Sequence, residues 1–219
     1  MPAKARTDRS SATRDRLLDA AERLFAERGL HAVSNRQVAE AAGQGNTAVV
    51  GYHVGTWTDL VLAVATRHAG AIERGRAHRL ERVRGSVDLR DWVDCLVRPT
   101  AEHLARLGPP TWFARFSAQV DTDPVLRDAV SAAALRSSAL QQTLDGLFAC
   151  LPELPDAVRR ERAAVTRLLI VHVFAERERA LAEGDDTWRP SWDEAATGLA
   201  DALVGVWLAP VTPAPVTPS

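Results

Sequence analysis

Between residues 36 and 56 the chain carries Arg36, Gln44, Asn46, Thr47, Tyr52, His53 and Thr56, side chains suited to hydrogen bonding with base edges and phosphates. Arginine can span guanine O6 and N7, asparagine can pair with adenine, and a threonine methyl can meet a thymine methyl. Each good bidentate pair discriminates by about 1–3 kcal/mol. Phosphate contacts position such a reader and base contacts specify its site. Some of these residues have a second reading. Asn46 suits a helix N-cap, a use that engages the oxygen a base would need. Thr56 reads as a cap or as a phosphate anchor beside N-terminal amides. Arg36 reads as a guanine contact or as a solvated surface arginine.

These groups must be held by short, rigid elements. The spacing predicts a helix over residues 13–28, with Leu17, Leu18, Ala21, Leu24 and Phe25 on one face and Gly29 as its stop. Ser34 and Gln37 have capping-box spacing for a short helix whose alanines permit a close crossing. Gly43-Gln44-Gly45 reads as a turn. A second short helix over 46–54 turns Ala48, Val49 and Val50 inward and presents a polar N-terminal end, where a recognition helix meets bases. Gly55 breaks it. Thr56 and Asp59 start a long helix that runs past Arg74, Arg76, Arg79, Arg82 and Arg84.

Beyond residue 85 the pattern stays helical. Residues 88–107 form one helix with a kink at Pro99. A short helix ends at Val120, and Asp123-Pro124 opens another that runs to about Cys150. Helices over 156–183 and 191–208 follow. No run alternates with period two, so the expected fold is all-α, with about nine helices. Its expected parts are a disordered basic tail (1–12), a three-helix helix-turn-helix domain (13–66, the fourth helix continuing to 84 as connector), a ligand-binding and dimerisation bundle (85–208) and a disordered proline-rich tail (209–219).

Composition narrows the classes. Apolar residues make up 46% and charged residues 25%, ordinary for a soluble globular chain. No apolar run approaches a membrane span of about 18 residues. The N-terminus has no apolar signal core, so the expected compartment is the cytoplasm. Cys95 and Cys150 have neither disulfide nor zinc spacing. Net charge is −1, but residues 1–84 hold 14 Lys+Arg against 9 Asp+Glu, and the rest hold 13 against 19. A basic first third on an acidic body suggests a polyanionic partner. No GxSxG, HExxH or phosphate-loop sequence is present, the histidines are scattered, and Asp123 is better read as a helix start than as a cation ligand. An enzyme, a metal and a cofactor are therefore not expected.

The first helix ending AERLFAERGL, the second containing VAEAAG, and YHV followed by a capped helix with DLVLAV together resemble the TetR family of transcriptional regulators, most strongly over residues 13–66. Beyond residue 85 the resemblance is architectural. It implies a dimeric, ligand-responsive repressor on a palindromic double-stranded operator. It also implies a DNA contact at Arg36 and a backbone or base contact at His53, which otherwise packs on the long helix. The segment from Gly43 to Val54 is one residue longer than the family's pattern. Gly51 stands where a tyrosine is common, Val54 where a phenylalanine is, and Asn35 where the family is often apolar. Trp57 replaces a lysine that commonly reaches a phosphate, and its indole N–H retains one donor.

In the penultimate helix, LLIVHVFA is apolar on nearly every side and must be covered. Leu168, Leu169 and His172 there, with Leu199, Ala202, Leu203 and Val206 in the last helix, are the expected homodimer surface, a four-helix bundle between two copies. The other reading is packing within one chain. Trp92, Cys95, Leu96, Trp112, Phe113 and Phe116, with His103 and Gln119, read either as a pocket for a small apolar or aromatic effector or as ordinary core. An alternative function is a DNA-binding regulator without a small ligand, controlled by a protein partner.

Overall fold

The computed structural model describes residues 2–212. Its elements are α1 (Pro2–Arg28), a 3-10 turn (Leu30–Ala32), α2 (Asn35–Ala41), α3 (Ala48–His53), α4 (Trp57–Val83), α5 (Leu89–Leu107), α6 (Phe113–Thr122), α7 (Pro124–Ala134), α8 (Ser138–Ala149), α9 (Asp156–Glu183) and α10 (Trp192–Leu208). Among the described residues there is no strand.

The local stop and start signals act as expected. Ser34 and Gln37 form a reciprocal capping box at α2, and Thr56 and Asp59 form one at α4. The Asp123 carboxylate accepts from the backbone N–H groups of Val125 and Leu126 at 3.0 and 3.1 Å, with Pro124 in the first turn of α7. Ser191 caps α10 through the Glu194 N–H at 3.1 Å. α9 ends at Gly184, in the left-handed conformation.

Two boundaries differ from expectation. α1 begins at Pro2 rather than residue 13, so the expected tail continues the helix; no glycine or internal proline separates residues 4–12 from it. The helix expected from Asp123 to about Cys150 is two helices. Its break at residues 135–137 is held from outside: the Ser137 hydroxyl caps α8 through the Leu140 N–H at 3.3 Å and donates to Glu73 of α4. The proline-rich tail lies outside the described residues from 213 onward, and 209–212 follow α10 without regular structure.

One hydrophobic core runs the length of the chain. Leu17, Leu18, Ala21 and Phe25 of α1, Val38 of α2, Val50 of α3 and Leu60, Val61 and Val64 of α4 form the head. The body is built by α10 on α5, α6 on α9 and α4 on α5. Gly75 lets α4 lie against Pro99 of α5, the nearest atom being 3.6 Å from where a Cβ would stand. α1 packs on α6 as well as on α2 and α4, so the head meets the body through two helices.

Candidate nucleic-acid interface

α2 and α3 are joined by a turn through Gly43, which has φ of +70°. Their inner faces are Val38 and Ala39 on α2 and Val50 on α3. Val49 is half-buried and Ala48 is exposed, so α3 turns a narrower face inward than expected. A six-residue helix gains little stability alone, and its packing on α1 and α2 holds it.

The outer face carries most of the expected contacts. Tyr52 is 84% exposed and Thr47 is exposed with no side-chain cap hydrogen bond. Arg36 is exposed but engaged by Glu40 one turn on, Nε to Oε1 2.8 Å. That carboxylate raises the Arg36 pKa further, through its hydrogen bond and then its charge. Gln44 donates to the Ala42 carbonyl at 3.3 Å and is half-buried. His53 is half-buried, with Nδ1 3.4 Å from the Ser10 hydroxyl of α1.

Two contested residues are engaged within the fold. The Asn46 Oδ1 accepts from the Ala48 N–H at 2.9 Å, so the oxygen needed for bidentate adenine pairing is used in the turn. The Thr56 N–H and hydroxyl donate to the Asp59 carboxylate at 2.9 and 2.8 Å. These hydrogen bonds hold the Asp59 pKa below the ordinary carboxylate value. A carboxylate seated at the first turn of α4 repels phosphate, and the Thr56 amide is occupied. The phosphate anchor expected at Thr56 is therefore disfavoured.

Trp57 does not reach outward. Its indole donates to the Val33 carbonyl at 3.1 Å, stacks on His31 with centroids 5.6 Å apart, and meets Phe25 edge-on at 6.0 Å. The donor left open for a phosphate is consumed within the head. The basic run on α4 is also partly internal. Arg76 is buried, donating to the Cys95 carbonyl at 2.7 Å and to Glu73 at 2.9 Å, and Arg79 pairs with Glu102. Arg76 and Arg79 thus face the body rather than an outside partner.

The model of the family described as bacterial regulatory proteins, tetR family, matches residues 17–55, the segment just described. Over those residues the head is similar to the N-terminal domain of that family. In solved structures the chain is similar in fold to a TetR family transcription regulator from Marinobacter aquaeolei, at 18% identity and a TM-score of 0.59, covering 90% of this chain and 97% of that one. It is also similar to the TetR family transcriptional regulator PfmR from Thermus thermophilus, at 17% identity and a TM-score of 0.51, covering 91% and 98%. No curated protein sequence matches the chain.

Outside the head, the expected pocket residues are not brought together into one cavity. Trp92 packs over Gly146 of α8 and donates to the Ser86 carbonyl at 3.1 Å. Cys95 and Leu96 are buried on the same helix, and burial pushes the Cys95 thiol up to about 11. Phe116 packs on Phe25 of the head at 6.1 Å, and Phe113 stacks on His68 at 4.0 Å, beside His103. Gln119 places Oε1 3.4 Å from the Cβ position of Gly29. Phe113, Phe116, His103 and Gln119 are thus the joint between head and body rather than walls of one cavity. Trp112 borders an open cleft with Arg16, Arg23 and Ala42. An apolar cleft of about 320 Å³ lies elsewhere, between α9 and α10, lined by Leu169, Val173, Ala195 and Leu199 with Arg177 and Trp188.

The expected dimer residues divide in the same way. Leu168, His172 and Ala202 are exposed, and Leu169 and Val206 are half-buried. Leu199 and Leu203 are buried inside the protomer at 5% and 0% exposure, because α10 spends that face on α5. Leu181, Leu208 and Trp188, which the sequence reading passed over, are exposed large apolar residues on these two helices and their connecting loop. Sequence reasoning also missed Glu178. Its buried carboxylate accepts from the Thr111 hydroxyl and from the N–H groups of Ala114 and Arg115 at 3.1, 3.1 and 2.9 Å, closing the N-terminus of α6 from α9. Among the described residues no group of His, Cys, Asp and Glu could hold a metal ion, and no helix is long and apolar enough to cross a membrane.

Proposed function

We propose that this protein is a transcriptional regulator that binds a palindromic operator as a homodimer and acts as a repressor released by a small apolar or aromatic effector. The observation that carries the DNA-binding part is the outer face of α2 and α3. There Arg36, Thr47 and Tyr52 stand exposed on a helix pair whose inner face is fully packed. The proposed readers are Arg36, Thr47 and Tyr52, with Gln44 and His53 at the margins. A single short helix reads few base pairs, so two heads are required for affinity. The exposed residues Leu168 and Leu208 on α9 and α10 support a second copy as the cover for that face. The apolar α9–α10 cleft is the body feature that best suits an apolar effector.

The test is selection of a binding site from random DNA, followed by anisotropy titration across salt concentrations. A palindromic site with affinity falling steeply in salt is expected. Enrichment of no site would overturn the reading. Sedimentation should give a dimer at micromolar concentration, and a monomer there would remove the two-headed part. A compound panel that releases no operator complex would move control from a small effector to a protein partner.

A further inference from the structure

A buried polar chain crosses the joint between head and body. Glu22 of α1 lies 2.8 Å (Oε2) from His68 Nε2 of α4, and His68 Nδ1 lies 2.7 Å from His103 Nε2 of α5. All three side chains are buried, and Phe113 of α6 stacks over His68 with centroids 4.0 Å apart. DNA contact needs none of this. Apolar side chains would fill the same joint without the cost of burying polar groups.

The contact between the two rings holds one hydrogen. His68 turns its other nitrogen to Glu22, so its Nδ1 either donates to a bare His103 Nε2 or accepts from a protonated one. Once both nitrogens carry hydrogen, two donors face each other at 2.7 Å and the contact is lost. A cationic His103 finds no counter-charge nearby. Glu22 is taken by His68, Asp19 of α1 pairs with Arg67 of α4 at 2.5 Å, and Glu102 pairs with Arg79. Arg106, one turn on, is itself positive, and Arg115 of α6 is held by Glu178 of α9. Burial, then the charges of His68 and Arg106, push His103 from 6.5 down to about 4.

We propose that Glu22, His68 and His103 form a proton-operated latch between the DNA-binding head and the body. With a cationic His68 held against Glu22, its Nδ1–H donates to the bare His103 Nε2; a proton then taken up by His103 sets two donors against each other and loosens the tie between α5 and α4 at this point. The proton shifts the balance only by its preference between the two states. With His103 at about 4 when closed and near 6.5 when solvated, that preference is roughly 300-fold. The latch itself needs no DNA; its effect on operator affinity rests on the function proposed above.

The test uses the full chain without DNA, so its outcome is separate from that of the DNA-binding reading. The rings of the six histidines and the backbone amides are followed by NMR from pH 7.5 to 4. His103 should titrate far below 6.5, and amides of α1 around Glu22 and of α4 around His68 should shift with the same midpoint. In His103→Gln, whose amide can hold the His68 nitrogen without titrating, those shifts should disappear. A His103 midpoint near 6.5, or α1 amides that follow no histidine, overturns the latch. If the variant does not fold, the wild-type titration alone decides.

Discussion

Trp57 donates its indole N–H to the Val33 carbonyl, tying the start of α4 to the turn that precedes α2. The residue at this position therefore holds the head together from inside. Trp57→Phe should keep the contacts to Phe25 and His31 and lose one hydrogen bond, costing about 1 kcal/mol. Trp57→Lys should cost ~3–5 kcal/mol through lost packing, with no gain in DNA affinity. Urea denaturation read by circular dichroism separates the two. Equal stability of wild type and the lysine variant would contradict the internal role.

Gly55 has φ of +115°, and a Cβ there would stand 2.6 Å from Asp59 Oδ2. Gly55→Ala therefore strains the backbone and displaces the carboxylate that caps α4. A loss of about 1–3 kcal/mol is expected, measured as a lowered melting temperature. Gly43, at φ of +70°, lies beside the left-handed region that side chains enter at modest cost and has open space around it, so Gly43→Ala should cost less. The reverse order would contradict the capping argument.

Arg36 must leave Glu40 to meet a base. Arg36→Ala is expected to lower discrimination between operator variants by about 1–3 kcal/mol while changing general affinity less. Glu40→Gln removes both the competing acceptor and a charge facing the phosphates, and should tighten binding severalfold. Anisotropy on matched and mismatched sites reads both. A uniform loss across sequences for Arg36→Ala would make it a phosphate contact instead.

Acid should weaken the fold through His103. Its folded value, about 4, lies below the unfolded 6.5, so between these pH values the unfolded chain binds more protons. The contribution is fully present above pH 6.5 and is lost as pH falls toward 4. The loss is ~3 kcal/mol, an order-of-magnitude figure. Carboxylates contribute their own acid dependence, so the measured quantity is the difference between wild type and His103→Gln at each pH. A difference that does not change from pH 7 to 4.5 would contradict the assignment.

The legible parts of the chain were those whose causes are local. Ser34 with Gln37, Thr56 with Asp59, Ser191 with Glu194 and Asp123 with Pro124 act within three residues, so spacing alone located four helix starts. The contacts of Trp57, Phe116 and His103 were not legible because their partners lie far along the chain, at Val33, Phe25 and His68. The break after α7 escaped notice because Ser137 answers to Glu73 rather than to a glycine or proline. Leu199 and Leu203 fit an apolar stripe whichever helix covers it, and periodicity does not name the cover. Charge counting does not say which basic residues face outward: Arg76 and Arg79 are counted as basic yet engaged inside.

Phe25 touches Trp57 on one side and Phe116 on the other. At Phe25 the first helix therefore serves head and body at once. A chimera that grafts residues 13–66 onto a foreign body would expose Phe25 and strand Glu22. The natural unit of exchange is larger: the head, the whole of α4, and the α5 and α6 segments that complete the joint. Cutting the chain between head and body should yield two unstable halves.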